Sequence, residues 1–146
     1  KIPENLVIYG YIFTVANKIQ ASGDKVMEGL TMRQQFLLIS LSLFEDYAPT
    51  LQELAEVFGS SYQNVKRMAT QLEDKNFLEI RKDPIDRRKI RIILNRKQFD
   101  ELQGNFSNVT SDFMNRLYAG ISADDLQTIA KSLVKINQNL DEMGQN

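Results

Sequence analysis

Seven polar side chains fall close together in the middle of the chain: Ser61, Tyr62, Gln63, Asn64, Lys66, Arg67 and Thr70. On one helix they could read a duplex, because Gln and Asn pair with adenine edges, Arg pairs with guanine, and Thr or Tyr meets thymine methyls or phosphates. An ordinary solvated helix face has the same composition, so the reading depends on what surrounds it. A second group follows: Arg81, Lys82, Arg87, Arg88, Lys89 and Arg91, with Asp86 among them. Basic residues at a hairpin tip suit the minor groove, where the potential is negative and arginine is favoured. They would equally keep an exposed strand soluble, with Asp86 in a surface ion pair of little worth. Neither group makes or breaks bonds. The chain has no Cys and no His, which excludes disulfides, thiol redox sensing, Ser–His and Cys–His nucleophiles and ordinary zinc sites. Asp and Glu are plentiful but form no recognisable catalytic pair, so no enzyme, cofactor or metal centre is expected.

Charge separates this region from the rest. The formal net charge of −1 argues at first against a polyanion partner, yet residues 61–97 hold eleven Lys and Arg against five Asp and Glu, a local net of +6. The remainder, with seven against fourteen, carries −7. One basic window on an acidic scaffold implies a polyanion-binding patch with the scaffold kept away from it. No apolar run reaches the length of a membrane span and no leader-like segment opens the sequence, so the expected setting is cytoplasmic, away from any membrane.

The elements that must hold these groups are legible from periodicity. Leu6, Tyr9, Phe13, Ala16 and Ile19 predict a helix over residues 3–22. Val7, Ile8, Tyr11, Ile12 and Val15 widen its apolar stripe to most of the circumference, so it needs cover on several sides, such as a partner subunit. Gly23 and Gly29 punctuate a polar connection. Thr31 with Gln34, and Thr50 with Glu53, have the spacing of capping boxes, opening one helix that ends before Pro49 and a short one through Leu51, Leu54, Ala55 and Phe58. Gly59 supplies a left-handed end, and the next helix runs from Ser60 or Ser61 to about Lys75 with Val65, Met68, Ala69 and Leu72 inward. Ala55, Gly59 and Val65 have helix-turn-helix spacing, although an ordinary corner between helices shares it. Leu78 and Ile80, then Ile90, Ile92 and Leu94, alternate as strands around the turn Asp83-Pro84-Ile85-Asp86. Two further helices follow. Phe99, Leu102, Phe106, Val109, Phe113 and Leu117 mark the first, and Leu126, Ile129, Leu133, Ile136, Leu140 and Met143 the second, each with a seam suited to packing on other helices.

The stretch Asp83-Pro84-Ile85-Asp86-Arg87-Arg88-Lys89-Ile90-Arg91-Ile92-Ile93-Leu94-Asn95 resembles the wing signature of the MarR family of regulators. Asp86, Arg88 and Leu94 fit that pattern, and Asn95 stands where the family has Thr. Leu72-Glu73 followed by Asn76-Phe77-Leu78 is similar to the run before the wing, with Asn76 in the place of Gly. The resemblance implies a mainly α fold with a small β-hairpin wing. It divides into an N-terminal dimerisation helix (1–30), a winged helix-turn-helix (31–97) and C-terminal dimerisation helices (98–146). It further implies a homodimer on a pseudo-palindrome in double-stranded DNA, acting as a repressor, with Arg88 in the minor groove and Asp86 orienting the wing arginines. Many relatives respond to small aromatic ligands. Tyr9, Phe13, Phe36, Phe44 and Tyr47 would line such a pocket here, unless they are simply core. The competing expectation is a winged-helix module used for protein association.

Overall fold

The computed structural model describes residues 1–26 and 29–144, in the order α1 (Glu4–Val26), α2 (Met32–Ser42), α3 (Leu51–Phe58), α4 (Tyr62–Asp74), β1 (Leu78–Lys82), β2 (Ile90–Leu94), α5 (Arg96–Leu117) and α6 (Ala123–Gly144). It separates into two compact units, 1–109 and 110–146, so the division falls within α5. Among the described residues no helix is long and apolar enough to cross a membrane.

Local chemistry sets the element ends. Thr31 accepts from the Gln34 backbone N–H while the Gln34 side chain accepts from the Thr31 N–H, each at 3.1 Å, and Thr50 and Glu53 repeat the exchange at the start of α3. Each box satisfies two backbone donors that the first helical turn leaves without partners. Gly59 closes α3 at φ 83°, and Asn76, at φ 67°, reverses the chain after α4. Both lie in the left-handed region, where a Cβ crowds the backbone; Gly has none, and Asn tolerates the region because its short polar side chain can hydrogen-bond locally.

Gly23 departs from its reading as part of a connection: α1 continues through it to Val26. Gly23 is buried, and a Cβ there would collide with the Met32 side chain of α2. The glycine therefore permits close approach of two helices, and tertiary packing outweighs its poor helix propensity.

The core of the first unit lies among α2, α3, α4 and the hairpin. Leu37, Leu38, Leu54, Val65, Leu72 and Ile92 are fully enclosed, and Phe99 and Leu102 bring the start of α5 onto the same cluster. Each such side chain contributes about 1.5–3 kcal/mol by leaving water. β1 and β2 pair antiparallel, Leu78 opposite Leu94, Ile80 opposite Ile92 and Arg81 opposite Arg91. Thr50, just ahead of α3, bridges to Arg91, and the Ile92 N–H donates to the Pro49 carbonyl at 3.0 Å, so the sheet is moored to the α2–α3 connection.

Candidate nucleic-acid interface

Helix α4 sorts its residues by period. Val65, Met68, Ala69 and Leu72 face the core, which leaves Ser61, Tyr62, Gln63, Lys66, Arg67 and Thr70 exposed and Asn64 half-buried. Ser61 caps the helix by accepting from the Asn64 N–H at 3.2 Å. The Asn64 amide is engaged at both ends: its Nδ2 donates to Ser60 Oγ at 2.9 Å and its Oδ1 accepts from Arg67 Nη2 at 2.6 Å. Thr70 turns its hydroxyl back to the Lys66 carbonyl. Gln63 and Lys66 have no intramolecular side-chain partner among the described residues, so their donors remain available to a ligand.

The hairpin tip is built around two aspartates. Asp83 is buried and accepts from the Ile85 and Asp86 N–H groups, each at 2.8 Å, while its own N–H donates to the Lys89 carbonyl at 2.9 Å. Those backbone donors, with the Arg91 guanidinium, hold its carboxyl down at about 2. Asp86 accepts from the Arg88 N–H at 3.1 Å and binds the Arg88 guanidinium through both oxygens, at 3.0 and 3.2 Å; these contacts lower its pKa. The Arg88 side chain is nonetheless 92% exposed, held at its base and open to solvent. Arg87 and Lys89 are exposed beside it, and Arg81, also exposed, pairs with Glu79 at 2.8 Å.

Arg91 is placed differently from the other wing cations. Its side chain is 28% exposed, its Nε donates to Asp83 Oδ2 at 2.7 Å, and its Nη1 donates to the Ala48 carbonyl at 2.9 Å. Glu53 Oε1 lies 3.8 Å from the same Nη1. Glu53 also accepts from Tyr47 Oη at 2.6 Å, an interaction that is the main cause of its lowered pKa and of the raised pKa of Tyr47. Nothing in the sequence marked these partners, since Ala48 and Arg91 are 43 positions apart and periodicity is blind to such pairs.

Between the α3 N-terminus, with Glu53 and Glu56, and the wing residues Arg88 and Lys89 runs an open groove of about 420 Å³, and Tyr62 is the α4 candidate that lines it. The five aromatics are not gathered in this way. Tyr9 stacks edge-on with Phe13 on exposed α1, Phe36 packs on Phe58, and Phe44 meets Tyr47. Of the five, only Phe44 and Tyr47 line the cavity of about 250 Å³ against β2 and the base of α5. The reason lies in the helix faces: Phe36 is on the α3 side of α2, whereas Phe44 follows that helix at its far end.

A helix, a glycine turn, a second helix with a polar outer face and a moored basic hairpin together define a winged helix-turn-helix module. Residues 30–90, which span the helix-turn-helix and most of the hairpin, match the model of the MarR family. Solved structures share the fold. A MarR/EmrR family transcriptional regulator from Acinetobacter sp. is 19% identical with a TM-score of 0.78, the match covering 97% of this chain and 99% of that one. MepR of S. aureus in complex with DNA is 19% identical with a TM-score of 0.75, over 90% and 97% of the two chains. BpsR of Bordetella bronchiseptica, whose DNA binding is regulated by 6-hydroxynicotinic acid, is 18% identical with a TM-score of 0.72, over 88% and 97%.

Proposed function

We propose that the chain is a homodimeric, sequence-specific repressor that binds a pseudo-palindromic operator in double-stranded DNA. The observation that carries this reading is the joint exposure of Gln63, Lys66 and Arg67 on α4 and of Arg87, Arg88 and Lys89 on the wing, with Tyr62 of α4 and the wing residues Arg88 and Lys89 lining one groove. The N-terminal part of α4 enters the major groove, where Gln63 and Arg67 reach base edges and Ser61, Tyr62, Lys66 and Thr70 meet bases and phosphates. Arg88, oriented by Asp86, takes the minor groove, and Arg87, Lys89 and Arg81 neutralise phosphates and release counterions. Residues 31–97 serve as the DNA-binding domain, and 1–30 with 98–146 as the dimerisation region. Two modules then present their α4 helices one helical turn apart, roughly 34 Å.

The complex of MepR with DNA supports this use of the fold. The regulation of BpsR by an aromatic acid supports a small aromatic effector here too, and the cavity lined by Phe44 and Tyr47 is the candidate site for it. Occupancy there would release operator by changing the separation of the two modules, since the ligand favours one spacing over the other. Selection of bound fragments from random DNA tests the reading. Recovery of paired half-sites with salt-sensitive affinity is expected, whereas no salt-sensitive retention of any duplex would favour a protein-association module instead.

A further inference from the structure

We propose that Arg91 is a positioning residue of the wing and makes no DNA contact: it ties the hairpin turn to the α2–α3 framework and so decides where Arg88 points. This rests on the DNA-binding reading above. The ties form one continuous path. Arg91 Nη1 is held by the Ala48 carbonyl at 2.9 Å, with Glu53 at 3.8 Å, and Glu53 is in turn fixed by Thr50 and Tyr47. From the other side of the guanidinium, Nε reaches Asp83 Oδ2 at 2.7 Å. The second oxygen of Asp83 accepts from the Ile85 and Asp86 N–H groups and shapes the turn, and Asp86 grips the Arg88 guanidinium.

Two physical arguments oppose the alternative in which Arg91 swings out to a phosphate. Asp83 is buried, and losing Arg91, its one ion-pair partner among the described residues, would leave an enclosed carboxylate unpaired, which is costlier than a surface pair is worth. Arg91 also sits directly opposite Arg81 on the ladder, and like charges so placed repel unless each is drawn aside. Arg81 is drawn to Glu79 on its own strand, and Arg91 to Asp83 and Glu53. Arg88 has no such inward partners among the described residues: its guanidinium is tethered to Asp86 and its side chain is almost wholly exposed.

The experiment is a double-mutant cycle on the full chain, titrated against the tightest duplex recovered from a random-sequence pool, with thermal unfolding measured alongside. Arg91→Gln should weaken binding about tenfold when Arg88 is present and cost almost nothing in an Arg88→Ala background, because its effect passes through Arg88. Arg91→Lys should behave like Arg91→Gln, since one ammonium cannot reproduce the planar fork that joins Asp83 to Ala48. Asp83→Asn, which keeps the volume of the turn residue, should show the same dependence on Arg88. Three results would overturn the proposal: full affinity in Arg91→Lys, wild-type affinity in both Arg91→Gln and Asp83→Asn, or additive losses with the salt slope shallower by a further 0.9 or so in the double variant. If the unaltered chain retained no duplex at any salt concentration, the DNA-binding reading itself would fall, and this inference with it.

Discussion

Asp83 and Arg88 occupy opposite ends of the same short chain of contacts, and each makes a separate prediction. Asp83 titrates at about 2 in the folded protein against an ordinary value of 3.8, so its ionised form favours the fold. A depressed carboxyl contributes fully above its unfolded pKa, and the contribution vanishes as pH falls through the folded one. The gap in thermal midpoint between the wild type and Asp83→Asn should therefore be constant above pH 4 or so and close as pH approaches 2. A gap that stayed open at the acid end would place the stabilisation elsewhere than in the carboxylate. On the proposed reading Arg88 acts in DNA binding, and its contribution to stability is small because its side chain is 92% exposed and its pair with Asp86 is a surface one. Arg88→Ala should cost about 1–3 kcal/mol in operator affinity while leaving the thermal midpoint nearly unmoved. Titration at physiological salt measures it, and unchanged affinity would remove the wing from the mechanism.

The turns between elements carry their own stability. Gly59 adopts φ 83° with nothing within 4 Å of where a Cβ would stand, so substitution there tests backbone strain free of any clash. Gly59→Ala should destabilise the first unit by about 1–2 kcal/mol, read as a lower urea midpoint with an unchanged slope. Asn76→Gly, at φ 67°, should alter the midpoint far less, because Asn already tolerates that region. Most of these positions were legible in advance: the boxes at Thr31 and Thr50 and the turn at Gly59 are local signals whose partners lie within a few residues. The inward faces of α3 and α4 were legible for the same reason, as periodicity reports a neighbour one turn away. Gly23 was not, since its reason for being glycine is Met32 on another helix. The path from Glu53 through Arg91 to Asp83 was equally hidden. Sequence marked Arg91 as one basic residue among several, and the fold shows its acidic and carbonyl partners at the root of the hairpin. The five aromatics fail as a set on the same ground: spacing puts residues on a helix face and does not say which faces meet.

At the scale of the molecule, the basic window of residues 61–97 is balanced by an acidic remainder, which the proposed function assigns to dimerisation. That remainder contains two apolar surfaces. On α1, Leu6, Tyr9 and Phe13 are each more than half exposed, and on α6 the seam of Ile129, Leu133, Ile136, Leu140 and Met143 is exposed along its length. Exposed apolar side chains repeated along a helix face suit an association site, and a second copy is the cover that the proposed palindrome requires. Leu133 lies in the middle of the α6 seam, so Leu133→Glu would set a charge where the partner's apolar groups should pack. The expected result in sedimentation is conversion of a dimer to a monomer. Joining two modules raises the effective concentration of the second at its half-site, and separation should cost a full operator on the order of a hundredfold in affinity. Affinity for an isolated half-site should be unaltered, because the α4 face and the wing are untouched. That contrast separates lost dimerisation from lost folding: an unfolded variant would lose both sites, and a monomeric wild type would show that the seam has some other occupant.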